Sequence, residues 1–159
     1  FVVSTSDFVA TSSYSLKLTQ AAVGAVPVET KTATADNDYL KGNQDSGVLD
    51  DVISYSNNSS STGTTELRIY KGKTLTISAK SGYSITKVEF TCTANAGSKY
   101  GFYTNSTVSV DEGATATSTA SENSKVGTIT ITGKTTKVAY KADKGQMRVT
   151  KMSVTYVKD

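Results

Sequence analysis

The segments ITKVEFTC (residues 85–92) and VTKMSVTY (residues 149–156) share a feature that few folds accommodate: each reads as a strand that changes phase partway along. In the later segment and the residues before it, apolar side chains fall at the odd positions Met147 and Val149, then at the even positions Met152, Val154 and Tyr156. In the earlier one Ile85 is odd, whereas Val88, Phe90 and Cys92 are even. Strand side chains alternate faces with period two, so the apolar set stays on one face only if an extra residue sits at the slip. The pattern therefore predicts β-bulges or strand bends at Thr86-Lys87 and Thr150-Lys151, which let one long strand curve around a sandwich or barrel corner. A third echo, TKVAY (residues 136–140), starts directly after a turn and needs no bulge. Thr86, Thr136 and Thr150 are unequally spaced, which marks a recurring strand solution rather than a solenoid repeat.

Alternation continues elsewhere. Leu67 and Ile69 share one face, with Glu66, Arg68 and Tyr70 on the other; after Lys71-Gly72-Lys73, Leu75 and Ile77 alternate again. This reads as a hairpin with positive φ at the glycine. Ile129 and Ile131 point inward in a strand over residues 126–132, Gly133-Lys134 turns the chain toward Val138 and Tyr140, and Asp143-Lys144-Gly145 turns it into the last strand. Tyr14, Leu16 and Leu18 alternate near the N-terminus. Residues 26–34 and 48–55 read as further strands, the first at an edge or a strand start because of Pro27. Residues 35–47 (ADNDYLKGNQDSG), 57–64 (NNSSSTGT), 94–98 and 111–124 read as loops. Abundant Thr and Ser, nine Tyr and a single Pro suit strands. With no interior boundary, the expectation is one domain over residues 1–159, an all-β, antiparallel, jelly-roll-like β-sandwich of about nine to eleven strands. Because the sequence starts at Phe1 rather than Met, we expect a processed form or a module of a larger protein.

Several function classes recede. The net charge of +3 comes from lysines scattered singly, without the basic cluster that tracks a phosphate backbone, so nucleic acid is not an expected partner. No apolar run is long enough to span a bilayer, so membrane insertion is not expected. The single cysteine, Cys92, allows no internal disulfide or zinc cluster and reads as a small buried hydrophobe. Histidine is absent, which removes the commonest general base and every Ser-His or Cys-His arrangement. Only carboxylates remain for catalysis. Asp50 and Asp51 are adjacent in a strand and would face opposite ways, and Asp111-Glu112-Gly113 reads as a turn. The chain is therefore not expected to be an enzyme.

Two constellations remain as candidate sites. Asp36, Asp38 and Asp45, in a loop that also holds Asn37, Gly42 and Asn43, are oxygen ligands of the kind that hold a structural Ca²⁺, although their spacing is not that of an EF-hand. The plainer reading is that Asp and Asn populate turns. The other candidate is aromatic: Tyr100, Tyr103 and Asn105 offer ring faces and an amide of the kind that recognise sugars. The alternative is that Tyr100 and Phe102 alternate in a strand with one face in the core. Arg68 and Arg148 lie opposite an apolar phase and are candidate ligand contacts, or partners of Glu66 or Glu89 in a cross-strand ion pair.

The segments LRIYKGKTLTIS (residues 67–78), ITKVEFT (residues 85–91) and KGQMRVTKMSVTY (residues 144–156) resemble jelly-roll-type β-sandwich domains of secreted and surface proteins of gut bacteria. The resemblance covers about residues 65–157. It implies a fold similar in outline to carbohydrate-binding modules, an extracellular or cell-surface location, and a recognition role with glycan as ligand. Related domains often carry a Trp before the GQ-R segment, and residues 126–142 have none, which departs from an aromatic-platform pattern. The competing expectation is a structural or adhesion module of a surface assembly or phage particle, with protein as its partner.

Overall fold

Residues 28–59, 65–93, 100–121 and 125–159 are described by a computed structural model. The strand expected around Tyr14, Leu16 and Leu18, the loop at 94–98 and most of the loop at 57–64 lie outside the described residues. The order is β1 (Thr30–Ala35), α1 (Asn37–Gly42), β2 (Ser46–Val48), β3 (Ile53–Asn57), β4 (Leu67–Ile69), β5 (Thr74–Ala79), β6 (Tyr83–Cys92), β7 (Thr107–Val110), β8 (Thr115–Ser121), β9 (Val126–Thr132), β10 (Lys137–Lys141) and β11 (Met147–Lys158). One sheet runs β1-β11-β6-β9-β8, with β4 also on β11; the other runs β2-β3-β5-β10-β7. All pairings are antiparallel. From β3 onward each strand passes to the opposite sheet, except at the β8–β9 hairpin, and this repeated crossing gives the sandwich its jelly-roll-like character. Among the described residues no helix is long and apolar enough to cross a membrane.

Both phase slips are bulges. Along the β6–β11 ladder Val149 pairs with Cys92 and Lys151 with Thr91, which leaves Thr150 as the extra residue on β11. Farther on, Thr155 pairs with Lys87 and Tyr156 with Ile85, which leaves Thr86 as the extra residue on β6. The two threonines do the same job. The Thr150 hydroxyl donates to the Thr91 carbonyl at 3.2 Å, and the Thr86 hydroxyl donates to the Thr155 carbonyl at 3.2 Å. A bulge disrupts the ladder locally, and a threonine at the inserted position supplies a donor to the facing strand. The reward is that Met147, Val149, Met152 and Val154 are all fully buried despite the change of phase. The third Thr-Lys pair, Thr136-Lys137, straddles the start of β10, whose pairings run without a shift.

Four local expectations are corrected. The chain around Lys71-Gly72-Lys73 is not a hairpin: β4 pairs with β11 and β5 with β3 and β10, so the turn carries the chain between sheets. Gly72 does have the expected positive φ, +83°. Residues 48–55 are not one strand but the end of β2, a turn and the start of β3; Asp50 makes the turn by accepting from the Val52 and Ile53 amides at 2.8 and 2.7 Å. The stretch 35–47 is not all loop, because Asp36 caps α1 by accepting from the Tyr39 amide at 3.0 Å. A helix of six residues with Leu40 as its one buried residue is too short to show periodicity. Finally, 111–124 contains β8 (TATSTAS), an edge strand without large apolar side chains.

Candidate functional site

Two turns and one loop build the site. The turn between β4 and β5 and the turn between β10 and β11 are stitched together: the Gly72 amide donates to the Ala142 carbonyl at 2.9 Å, and the Ala142 amide donates to the Lys73 carbonyl at 2.9 Å. Lys71 and Lys144, far apart in sequence, therefore flank one opening. The loop 100–106 packs beside them and is anchored by Phe102. That ring is fully buried, stacked on Tyr140 at 5.1 Å and on Phe90 at 6.0 Å between centroids. Gly127 makes the seat, since a Cβ there would lie 2.0 Å from the Phe102 ring. Tyr140 adds polar fastening. Its hydroxyl accepts from the Tyr103 amide at 3.2 Å and faces the Tyr103 carbonyl at 3.4 Å. Burial pushes the Tyr140 phenol up, which keeps it protonated and able to donate.

With Phe102 inward, Tyr100 and Tyr103 lie half-buried at the surface. The Tyr100 carbonyl accepts from the Arg148 amide at 3.1 Å, and the Arg148 guanidinium lies 3.6 Å from the centre of the Tyr100 ring, a cation–π contact. Arg148 is the direct cross-strand partner of Arg68. Two facing guanidiniums would repel, and Glu66 sits between them, its Oε1 3.2 Å from Arg148 Nη1 and 3.4 Å from Arg68 Nε. The Glu66 side chain is only 5% exposed and its other oxygen accepts from the Thr65 hydroxyl. One carboxylate thus serves two guanidiniums and leaves the cluster net positive. Tyr103 lies against Gly145, where any Cβ would fall 2.6 Å from its ring.

Together Lys71, Tyr100, Tyr103, Lys144, Gly145 and Gln146 line a cleft of about 560 Å³. Two rings, two ammonium groups and an amide converge there, in a volume that suits a small ligand or one or two sugar rings. Gln146 Nε2 is buried and has no hydrogen-bond partner among the described residues. Among the described residues no acidic side chain lines the cleft. The nearest in sequence, Asp143, takes a hydrogen bond from the Thr107 hydroxyl at 2.8 Å, and that bond holds its carboxyl below the usual range.

The residues expected from sequence fare differently. Tyr100 and Tyr103 line the cleft, with Arg148 beneath Tyr100 and Arg68 across from Arg148. Of the two acids proposed for the arginines, Glu66 is the partner; Glu89 lies 3.9 Å from Lys87 instead. Asn105 is exposed and does not line the cleft. Asp36 caps α1, Asp38 is paired with Lys41 at 2.6 Å, and the Asp45 carbonyl accepts from the Asn57 amide at 2.7 Å. Among the described residues, no three His, Cys, Asp or Glu side chains are grouped as a metal site. Asp50, set aside as half of a catalytic pair, works as a turn residue whose Oδ2 accepts from the Tyr156 hydroxyl at 2.8 Å. Sequence reasoning missed Lys71, Lys144 and Gln146. The only available signal was that two Lys-Gly turns flank the strands carrying Arg68 and Arg148.

No protein-family model, curated protein or solved structure matches the chain. Its class rests on geometry alone: an antiparallel β-sandwich in which two joined turns and an aromatic loop form a cationic cleft.

Proposed function

We propose that this chain is a non-catalytic recognition domain that binds glycan weakly in the cleft between Tyr100 and Tyr103, on an extracellular or cell-surface protein. The observation that carries the reading is the mounting of the two tyrosines. Phe102 fixes the loop from below, so both rings are held beside hydrogen-bonding groups before any ligand arrives. Preorganised rings cost little entropy on binding, which matters for a shallow site. Weak single-site affinity becomes useful through tethering and multivalency. A glycan array with the whole chain tests the reading. Binding that is lost in Tyr103→Ala, while the thermal midpoint stays near wild type, supports it; no binding across diverse neutral and acidic glycans refutes it.

A second reading, a structural or adhesion module with a protein partner, draws on β8. Among the described residues this strand (TATSTAS) pairs only with β9, and it carries neither charge nor proline, the usual guards of a free edge. Light scattering that shows concentration-dependent association, abolished by Thr117→Pro, would favour that reading.

A further inference from the structure

We propose that the cleft selects acidic glycans, with a carboxylate or sulfate held between Lys71, Lys144 and the Gln146 amide while the sugar ring lies against Tyr103. This inference deepens the glycan reading and rests on it. Four observations converge. First, among the described residues the lining carries two cations and no acid. Second, the lysines project from turns joined by two backbone hydrogen bonds of 2.9 Å, so the framework fixes their spacing rather than long side chains alone. Neither lysine has a carboxylate within ion-pair distance among the described residues. Third, the layer beneath adds positive charge, because Glu66 is shared between Arg68 and Arg148. Asp143, the one acid in the same turn, accepts from Thr107 but keeps its charge, which acts on Lys144, so Lys71 is the less compensated of the two cations. Fourth, Gln146 Nε2 is a buried donor with no partner among the described residues, and buried donors are costly to leave unmade. An oxyanion entering the cleft would meet two ammonium groups beside the Gln146 side chain, and neutral sugars would leave the charge unused.

The test titrates the whole chain with polygalacturonate, a sulfated galactan and a neutral galactan, at low and raised salt. The variants are Lys71→Gln, Lys144→Gln and their double. Lys80→Gln, which removes an exposed charge away from the cleft, is the control. Each cleft variant is expected to weaken acidic-glycan binding about two- to fivefold, the range of a solvent-accessible ion pair, and the double variant roughly tenfold. Salt weakens the wild type and has less effect on the double variant. Preference between polygalacturonate and the sulfated galactan then identifies the oxyanion. Equal binding of neutral and acidic galactan, indifferent to both lysines, would overturn the charge selectivity and leave glycan recognition standing. An equal loss in Lys80→Gln would overturn the cleft assignment in favour of diffuse attraction by net charge. Failure to bind any of the three, together with a blank array, would remove both this inference and the glycan reading.

Discussion

Adding one methyl group at Gly127 should unseat the loop of residues 100–106. Gly127 lies on β9 opposite Phe90, and a Cβ there would sit 2.0 Å from the Phe102 ring. The ring cannot retreat, because Tyr140 and Phe90 hold its other sides and it is fully buried. Overpacking of this kind costs about 1–3 kcal/mol, and weakening two aromatic contacts adds roughly 0.5–1.5 kcal/mol each. Gly127→Ala should therefore destabilise by about 2–4 kcal/mol, although Ala in an unobstructed strand would be favoured over Gly by roughly 0.5–1 kcal/mol. Phe102→Ala alone should cost about 3–5 kcal/mol. If the clash is the cause, the double variant should be no less stable than Phe102→Ala, because the methyl group then occupies vacated space. Urea unfolding of the four proteins gives the coupling energy, expected at about 2–4 kcal/mol against under roughly 0.5 kcal/mol for independent sites. Additive losses would show that Gly127 is not the seat of Phe102. Gly127→Ala should also weaken the glycan binding proposed above, because Tyr100 and Tyr103 depend on that anchor.

Two further outcomes follow from single buried or half-buried groups. Desolvation raises the Asp50 pKa, but hydrogen bonds from the Ile53 amide, the Tyr156 hydroxyl and the Val52 amide outweigh it and leave the carboxyl below its usual value. A lowered folded pKa contributes stability that is present above the unfolded value and lost as pH falls through the folded one. Asp50→Asn should therefore cost roughly 1–2 kcal/mol near neutrality, with the gap to wild type closing below about pH 4; a gap independent of pH in denaturant melts would refute this. The Cys92 thiol is buried and pushed up to about 12 by desolvation, so it should resist Ellman's reagent in the native state and react at the rate of unfolding. Prompt labelling of folded protein at pH 8 would contradict that burial.

What the sequence determined by itself is local. Period-two alternation located most of the strands, and the slips at Thr86 and Thr150 located the two irregularities that proved to be bulges, because a change of phase within one strand needs an extra residue or a bend. Tyr100, Tyr103, Arg68 and Arg148 were legible as site candidates for a similar reason, being aromatic or cationic where the pattern did not require it. Alternation reports that one face of a strand is buried, but not against what. Leu67-Ile69 and Leu75-Ile77 fit a hairpin, yet they lie in opposite sheets because β11 and β10 compete for them. β8 and α1 were missed because one buries almost nothing large and the other is only six residues long. The cleft belongs wholly to the tertiary structure. Lys71 and Lys144 meet only because the Gly72 and Ala142 backbones bond across the two turns, and the tyrosines line the cleft only because Gly127 leaves room for Phe102 to face in. Those are contacts between distant segments, and no local pattern encodes a partner's position.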